Sequence, residues 1–351
     1  MFPLEYPLGI LEQLDQPQRV ADPFCGRGTT LYAAKVLNLE AWGVDASPVA
    51  VAISRAKFAR ATPDEALALA EHLLDTVTPC NVPRSEFWEA AYHPDTLRAI
   101  CALREGLQGD DGDAAALLTG LTLGCLHGPL VKDTDNPTHF SNQMPRTFAP
   151  KPDYAVRFWR KRELVAPRSD VLTALRKKAL RLSGETSGWD GEITRVLHGD
   201  ATDVQSYAPL PRGVDTIITS PPYYGMATYL PDQWLRHWFL GGPNSVDYKA
   251  GSQIGHAGQE TFTASLTDVW NHVGHLANNT LNLFVRFGSL PSRQVDASAM
   301  LRNSLCDSEH TWNIVSLHEA DAIKVGRRQA HHMGVNSTAT VEYDLHARLE
   351  L

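Results

Sequence analysis

The sequence predicts an α/β fold built on a Rossmann-like unit and interrupted by a mainly helical insertion, and three stretches carry that prediction. Val214-Asp215-Thr216-Ile217-Ile218 is a short, apolar, β-branched run of the kind a strand covered on both faces needs. Arg19-Val20-Ala21, then Asp22-Pro23-Phe24-Cys25-Gly26-Arg27-Gly28-Thr29-Thr30, then residues 31–39 read as strand, glycine turn and helix. A second strand over residues 41–44 ends in Asp45, where an acid can meet a ribose diol; a turn residue or helix N-cap is the ordinary alternative.

At 351 residues the chain is long enough for one large α/β domain with an insertion or for two domains. Its 43% hydrophobic and 21% charged residues are those of an ordinary globular protein. No apolar run reaches spanning length, and Met1-Phe2-Pro3-Leu4-Glu5 has neither a basic flank nor an apolar signal core, so a cytoplasmic protein without membrane contact is expected. Cys25, Cys80, Cys101, Cys125 and Cys306 are scattered without Cys-x-x-Cys pairing, so neither a disulfide framework nor a metal site is expected. The formal charge of −8 opposes nucleic-acid binding by the chain as a whole, but residues 157–181 hold nine Lys and Arg against Glu163 and Asp170. A monomer and a homodimer both fit this composition.

Taken in order, Leu8, Leu11 and Leu14 mark an amphipathic helix ahead of the first strand. Ala46-Ser47-Pro48 leads into a helix ending near Lys57. Thr62-Pro63-Asp64-Glu65 is a capping box with proline at the first helical position, which starts a helix reaching about Asp75. Helices are predicted over residues 93–107 and 113–126. Five prolines then break the pattern between Gly128 and Asp153. In that loop His139, Phe140, Asn142, Gln143, Arg146 and Phe148 are of types that read base edges and stack on bases. Basic helices over residues 154–182 follow, with Arg157, Arg160, Lys161 and Arg162 as candidate phosphate contacts; a solvated basic face is the ordinary alternative. Strands are predicted at 194–198, 280–287, 313–317 and 340–347, with an aromatic helix at 232–239 against the sheet and another helix at 266–276. Between the last two strands Lys324, Arg327, Arg328, His331 and His332 form a basic loop; without a carboxylate at helical spacing the histidine pair does not suggest a metal.

The chemistry is placed at Thr219-Ser220-Pro221-Pro222-Tyr223-Tyr224. Two prolines stop the strand, stiffen the backbone and remove two N–H donors, so carbonyls remain as acceptors beside a hydroxyl and an aromatic ring. Such a turn suits a flat, amino-bearing ring; taken alone it is also what an ordinary proline turn ending a core strand looks like.

These residues resemble the S-adenosylmethionine-dependent amino methyltransferases that act on exocyclic amines of DNA bases. Residues 22–30 are similar to the family's donor-binding motif, with Arg27 where a small residue is usual, and Thr219-Ser220-Pro221-Pro222-Tyr223 to its catalytic motif. The resemblance implies a seven-stranded mixed sheet formed by residues 1–60 and 190–351, with residues 61–189 as an inserted target-recognition region. It also implies donor contacts from Asp22, Phe24 and Gly26 at the methionine part, Asp45 at the ribose and Asp200 at the adenine. Phe2, Pro3, Pro23, Gly28, Thr29, Thr30, Ala46, Ala201 and Ser220 complete that implied site. Ser220, Pro221, Pro222 and Tyr223 would hold the target base, flipped out of double-stranded DNA. In this family serine before Pro-Pro-Tyr goes with cytosine N4, whereas aspartate or asparagine goes with adenine N6. Guanine N2 in RNA, and a silent DNA-binding protein on the same fold, are the other readings; intact motifs disfavour the last. His139, Asn142, Gln143, Arg146, Arg157, Arg160, Lys161, Arg162, Arg327 and Arg328 are the expected nucleic-acid contacts.

Overall fold

The computed structural model describes residues 2–15, 19–128, 137–141, 152–182, 194–225, 233–246, 258–289, 295–320 and 341–350. Short, almost wholly buried runs make the centre of its sheet. β1 (Arg19–Asp22), β2 (Glu40–Asp45) and β4 (Thr216–Thr219) are buried along nearly their whole length, as strands are when both faces of a sheet are covered. β1 pairs in parallel with β2 on one side and β4 on the other. β3 (Thr194–His198) adds in parallel beyond β2, and β5 (Thr280–Gly288) beyond β4. β7 (Glu342–Glu350) runs antiparallel to β5 and to the edge strand β6 (Trp312–Glu319), completing a seven-stranded sheet of order β3-β2-β1-β4-β5-β7-β6. The order steps outward from β1 through β2 and β3 on one side, and from β4 through β5, β7 and β6 on the other. The carboxyl ends of β1 and β4 are therefore the switch point where an open α/β sheet leaves a crevice for ligands.

The chain divides into two compact units, residues 1–51, 190–227 and 252–351 in one and residues 52–189 and 228–251 in the other. The first holds the sheet with α1 (Glu5–Gln13) and α2 (Thr29–Val36). α3 (Pro48–Phe58) runs across the boundary between the units. The helical unit holds α4 (Pro63–Thr76), α5 (Glu86–Ala91), α6 (Pro94–Gly106), α7 (Asp113–Cys125), α8 (Pro152–Lys161), α9 (Val171–Ala179) and α10 (Trp234–Phe239). α11 (Gln259–Gly274) and α12 (Ala297–Cys306) return to the sheet unit, where Phe262, Leu266, Val269, Trp270, Met300 and Leu301 share one core with the strands. Trp270 and Ser304 fasten these two helices, the indole N–H donating to the hydroxyl at 2.9 Å in a wholly buried position.

The capping box at Thr62 forms as its residues require: Glu65 N donates to Thr62 Oγ1 at 3.2 Å and Thr62 N to Glu65 Oε2 at 2.7 Å. Two helices go unannounced by the sequence pattern. α5 is six residues long, too short for a period to register, and α12 starts at the Asp296 cap, whose carboxylate accepts from Ala299 N at 3.0 Å. The aromatic helix expected against the sheet packs elsewhere. In α10, Trp234, Leu235, Trp238 and Phe239 join Phe87, Trp88 and Trp159 in the core of the helical unit, Trp88 and Trp238 lying 4.4 Å apart. The described residues 233–246 consequently belong with the insertion in space although they follow the double-proline turn in the chain.

Truncating Trp270 to alanine leaves a cavity under the sheet and removes the indole donor to Ser304 Oγ, which keeps only its own bond to Leu301 O at 2.8 Å. The expected loss is about 3–5 kcal/mol, measured as the change in the urea unfolding curve of the sheet unit.

Candidate active site

The glycine turn leaves β1 at Asp22 and reaches α2 through Gly28, with Gly28 N donating to Cys25 O at 2.7 Å. Gly26 (φ 53°) and Gly28 (φ 71°) both sit in the left-handed region, which explains the two glycines. A third glycine matters for another reason. A Cβ on Gly43, in the middle of β2, would lie 2.7 Å from both the Cys25 and Leu31 side chains, so its absence lets the turn settle onto the strand.

Asp45, at the tip of β2, organises the turn from the other side. Its two carboxylate oxygens accept from Gly26 N and Ser47 N, each at 2.8 Å. The ordinary turn role is therefore real, and it leaves room for the ribose role, because a carboxylate accepts about four hydrogen bonds. Burial raises the pKa of Asp45 and the two N–H donors oppose that rise. Ala46 O accepts from the His198 ring at 3.1 Å. At the end of β3, exposed Asp200 accepts from Thr202 N and Thr202 Oγ1 through one oxygen, leaving the other available. Ala201 is buried and its carbonyl accepts from Tyr207 Oη at 2.8 Å.

Asp22 joins the glycine turn to the start of the double-proline turn. It is 3% exposed, and its Oδ1 accepts from Phe24 N at 3.0 Å and from Thr219 Oγ1 at 2.6 Å. Thr30, 0% exposed, donates to Ile218 O at 3.0 Å; its hydroxyl fastens α2 to β4 rather than facing a ligand. Burial pushes the Asp22 carboxyl up to about 6 against the lowering effect of its donors.

Ser220 follows directly at the end of β4, half-buried, with Pro221 buried behind it. Among the described residues neither the Ser220 hydroxyl nor the Pro221 carbonyl has a hydrogen-bond partner, as the double proline leads one to expect. Beyond them Tyr224 N donates to Gly288 O at 3.3 Å and forms a bridge with Ser289, docking the turn on the end of β5. Tyr223 meets Phe287 edge-on, centroids 6.4 Å apart, and its hydroxyl donates to Glu342 Oε1 at 2.6 Å. Burial and then the Glu342 carboxylate hold this phenol above its ordinary pKa.

One cluster here escapes any reading of the sequence. Arg286 and Asp344, opposite one another on β5 and β7, form a two-pronged pair at 2.7 and 2.6 Å, with side chains 7% and 15% exposed. The Arg286 guanidinium also lies 3.9 Å over the Tyr6 ring, and Tyr6 packs 4.9 Å from buried Phe2. The segment containing Phe2 and Pro3 is thereby anchored to the strand that supports the double-proline turn. In the sequence Arg286 stood in an alternating run that marked a strand but named no partner.

The expected nucleic-acid contacts divide. Phe140 is corrected outright: it is 1% exposed and part of the helical core, with its N–H donating to Cys125 O at 2.8 Å, so no base can stack on it. His139 packs against Gly128, where a Cβ would lie 2.2 Å from the ring, and meets the Thr138 hydroxyl at 3.0 Å. Arg157, Arg160, Lys161 and Arg162 are exposed on or just after α8. Arg160 pairs with Glu86 at 2.9 Å, and the Arg162 guanidinium stacks 3.9 Å over Phe158. Asn142, Gln143, Arg146, Phe148, Lys324, Arg327, Arg328, His331 and His332 lie outside the described residues.

Among the described residues, His275, Glu309 and His310 bring metal-ligating atoms within 4.8 Å of one another. His275 pairs with Glu309 at 2.7 Å in an exposed position, and His310 Nε2 bonds Asn271 O at 3.2 Å. No helix among the described residues is long and apolar enough to cross a membrane.

No protein-family model and no curated protein matches the chain. Solved structures do. The rRNA methyltransferase aviRa from Streptomyces viridochromogenes is 12% identical, with 99% of this chain and 85% of that one covered at a TM-score of 0.35. An rRNA methylase from Streptococcus thermophilus is 8% identical over 100% and 97% at 0.35, and a SAM-dependent methyltransferase from Methanosarcina mazei is 7% identical over 100% and 98% at 0.37. Independently of these distant likenesses, the strand order with its antiparallel β7 is that of the Rossmann-like methyltransferase fold.

The raised Asp22 pKa has a definite sign. The unfolded carboxyl titrates near 3.8 and the folded one near 6, so between these values the folded chain holds the extra proton. Stability therefore falls as pH rises from 3.8 to about 6 and stays at the lower level above. Asp22→Asn keeps an acceptor for Thr219 and Phe24. It is expected to abolish that slope and to raise stability at pH 7.5 by about 1–2 kcal/mol, read from unfolding midpoints across pH.

Proposed function

We propose that the protein is an S-adenosylmethionine-dependent methyltransferase that modifies the exocyclic N4 amine of cytosine in double-stranded DNA. The single observation that carries this reading is a pair of acceptors, the Ser220 hydroxyl and the Pro221 carbonyl, that have no hydrogen-bond partner among the described residues. They stand at the end of β4, beside a glycine turn framed by Asp22 and Asp45. The residues fit such a donor. The left-handed turn has no side chain at Gly26, and Asp45 and Asp200 retain acceptor capacity for ribose and adenine. When bound, S-adenosylmethionine supplies a methyl group on a sulfonium, which leaves as a thioether.

An exocyclic amine is a weak nucleophile because its lone pair is delocalised into the ring. Ser220 Oγ and Pro221 O accept its two N–H bonds, which favours a pyramidal nitrogen and points the lone pair toward the donor side. The N–C bond forms as the S–C bond breaks, and the proton lost from nitrogen passes to solvent. No strong base is needed before transfer, since the nitrogen becomes acidic only as it gains carbon. Positioning does most of the work. Tyr223 stacks on the base and offsets part of the few kcal/mol that leaving the duplex costs. In the helical unit, exposed Tyr154 with Arg157, Lys161 and Arg162 combines aromatic surface and positive charge, which supports nucleic-acid contact despite the acidic whole. The cytosine choice follows from serine at position 220.

Labelled donor incubated with duplex DNA and with RNA, followed by digestion to nucleosides, tests the reading. Label in N4-methylcytosine is expected. Label only in N6-methyladenine overturns the base assignment, label only in RNA overturns the substrate, and transfer to neither overturns the nucleic-acid reading. Ser220→Ala is expected to lower kcat by about 100-fold while leaving donor affinity nearly unchanged. Equal loss in both would remove Ser220 from the transition state.

A further inference from the structure

The motif at the catalytic turn ends in a tyrosine whose ring must be placed before a base can stack on it, and the chain invests in placing it. We propose that Glu342 is the positioning residue for that ring, acting through Tyr223; the inference rests on reading residues 220–223 as the turn that holds the target base.

The geometry is specific. Tyr223 is held at two points, its edge against Phe287 and its hydroxyl donating to Glu342 Oε1 at 2.6 Å. In the β5–β7 ladder the residue opposite Glu342 is Gly288, which puts no side chain in the path of the phenol. The Gly288 carbonyl accepts from Tyr224 N, so the same rung anchors the turn through its backbone and through its side chain. Two residues along each strand, and hence on the same face, stand Arg286 and Asp344. Their two-pronged bond satisfies the guanidinium with Asp344, leaving Glu342 to the phenol. Arg286 also covers the Tyr6 ring, so the rung beneath Tyr223 is braced from the N-terminal segment.

Such an arrangement orients the ring without touching the base, and its loss should weaken base capture rather than donor binding. The test is a double-mutant cycle with Tyr223→Phe, Glu342→Ala and the double variant, plus Glu342→Gln, which keeps an acceptor for the phenol. With wild-type protein and its labelled duplex substrate as reference, each single variant is expected to raise KM for DNA about 10-fold while KM for the donor stays constant. The double variant should lose no more than the worse single one, and Glu342→Gln should recover most of the loss. Additive losses, or an equal shift in donor KM, overturn the proposal. Should wild type transfer no methyl to any nucleic acid, the substrate reading fails. The same cycle, read in thermal midpoints, then judges the Tyr223–Glu342 link by itself: non-additive shifts uphold the link, and additive shifts overturn it.

Discussion

A buried carboxylate accepting a threonine hydroxyl across the top of two adjacent strands is the interaction on which this site depends. Asp22 closes β1 and Thr219 closes β4, and their 2.6 Å bond sets the distance between the glycine turn and the double-proline turn. Asp22 Oδ1 also accepts from Phe24 N, so the same atom bends the chain into the glycine turn. Burial of this acid opposes its ionisation and weakens the fold at neutral pH. A carboxyl at such a place, where an amide could hold the same two donors, gives up stability and leaves negative potential at the ends of β1 and β4.

The strands were legible because burial on both faces leaves a composition that no other element shares. Val20-Ala21, Ala41–Val44 and Ile217-Ile218 are short apolar runs ending in polar turns, and they became β1, β2 and β4. The capping box at Thr62 was equally legible, since all its partners lie within four residues. What the pattern could not carry was anything joined over long separations. Tyr223 and Glu342 are 119 positions apart, and Arg286 and Asp344 58. Arg286, Glu342 and Asp344 stood in runs that marked strands and Tyr223 in the double-proline motif, but nothing local paired them, and only the fold brings them together. Gly43 shows the same limit from the other side. A glycine inside a strand reads as a weakness until the Cys25 and Leu31 side chains occupy the space its Cβ would need.

Aromatic residues misled in two directions. Phe140 lay among polar and basic residues in a proline-rich stretch, where stacking surface was a reasonable expectation, yet it plugs the helical core and its neighbour Ser141 is 1% exposed. Composition of a segment says little about which of its members face inward. Trp234, Trp238 and Phe239 were rightly read as core, but the core was assigned to the wrong unit. A helix following β4 in sequence was expected to cover the sheet, and it instead packs among Phe87, Trp88 and Trp159. Continuity of chain was a poorer guide than the density of aromatic partners, because tryptophans bury best against other large rings.

The basic run over residues 157–181 shows why charge counts need partners before they mean binding. Arg160, Arg168 and Arg176 pair with Glu86, Asp95 and Glu71, each an acid on another helix of the same unit. These exposed pairs contribute little to stability, a fraction of a kcal/mol to about 1 kcal/mol each, yet they remove three of the charges that made the run look like a phosphate track. Lys177 is likewise engaged, with Pro137 O at 3.2 Å. What remains outward on α8 and its end is narrower and chemically richer: Arg157, Lys161, and Arg162 with its guanidinium 3.9 Å over the Phe158 ring, with Tyr154 one turn away. A guanidinium over an aromatic ring keeps its charge and its donor edge. The acidic charge of the whole chain and a small basic face on one helix are therefore compatible.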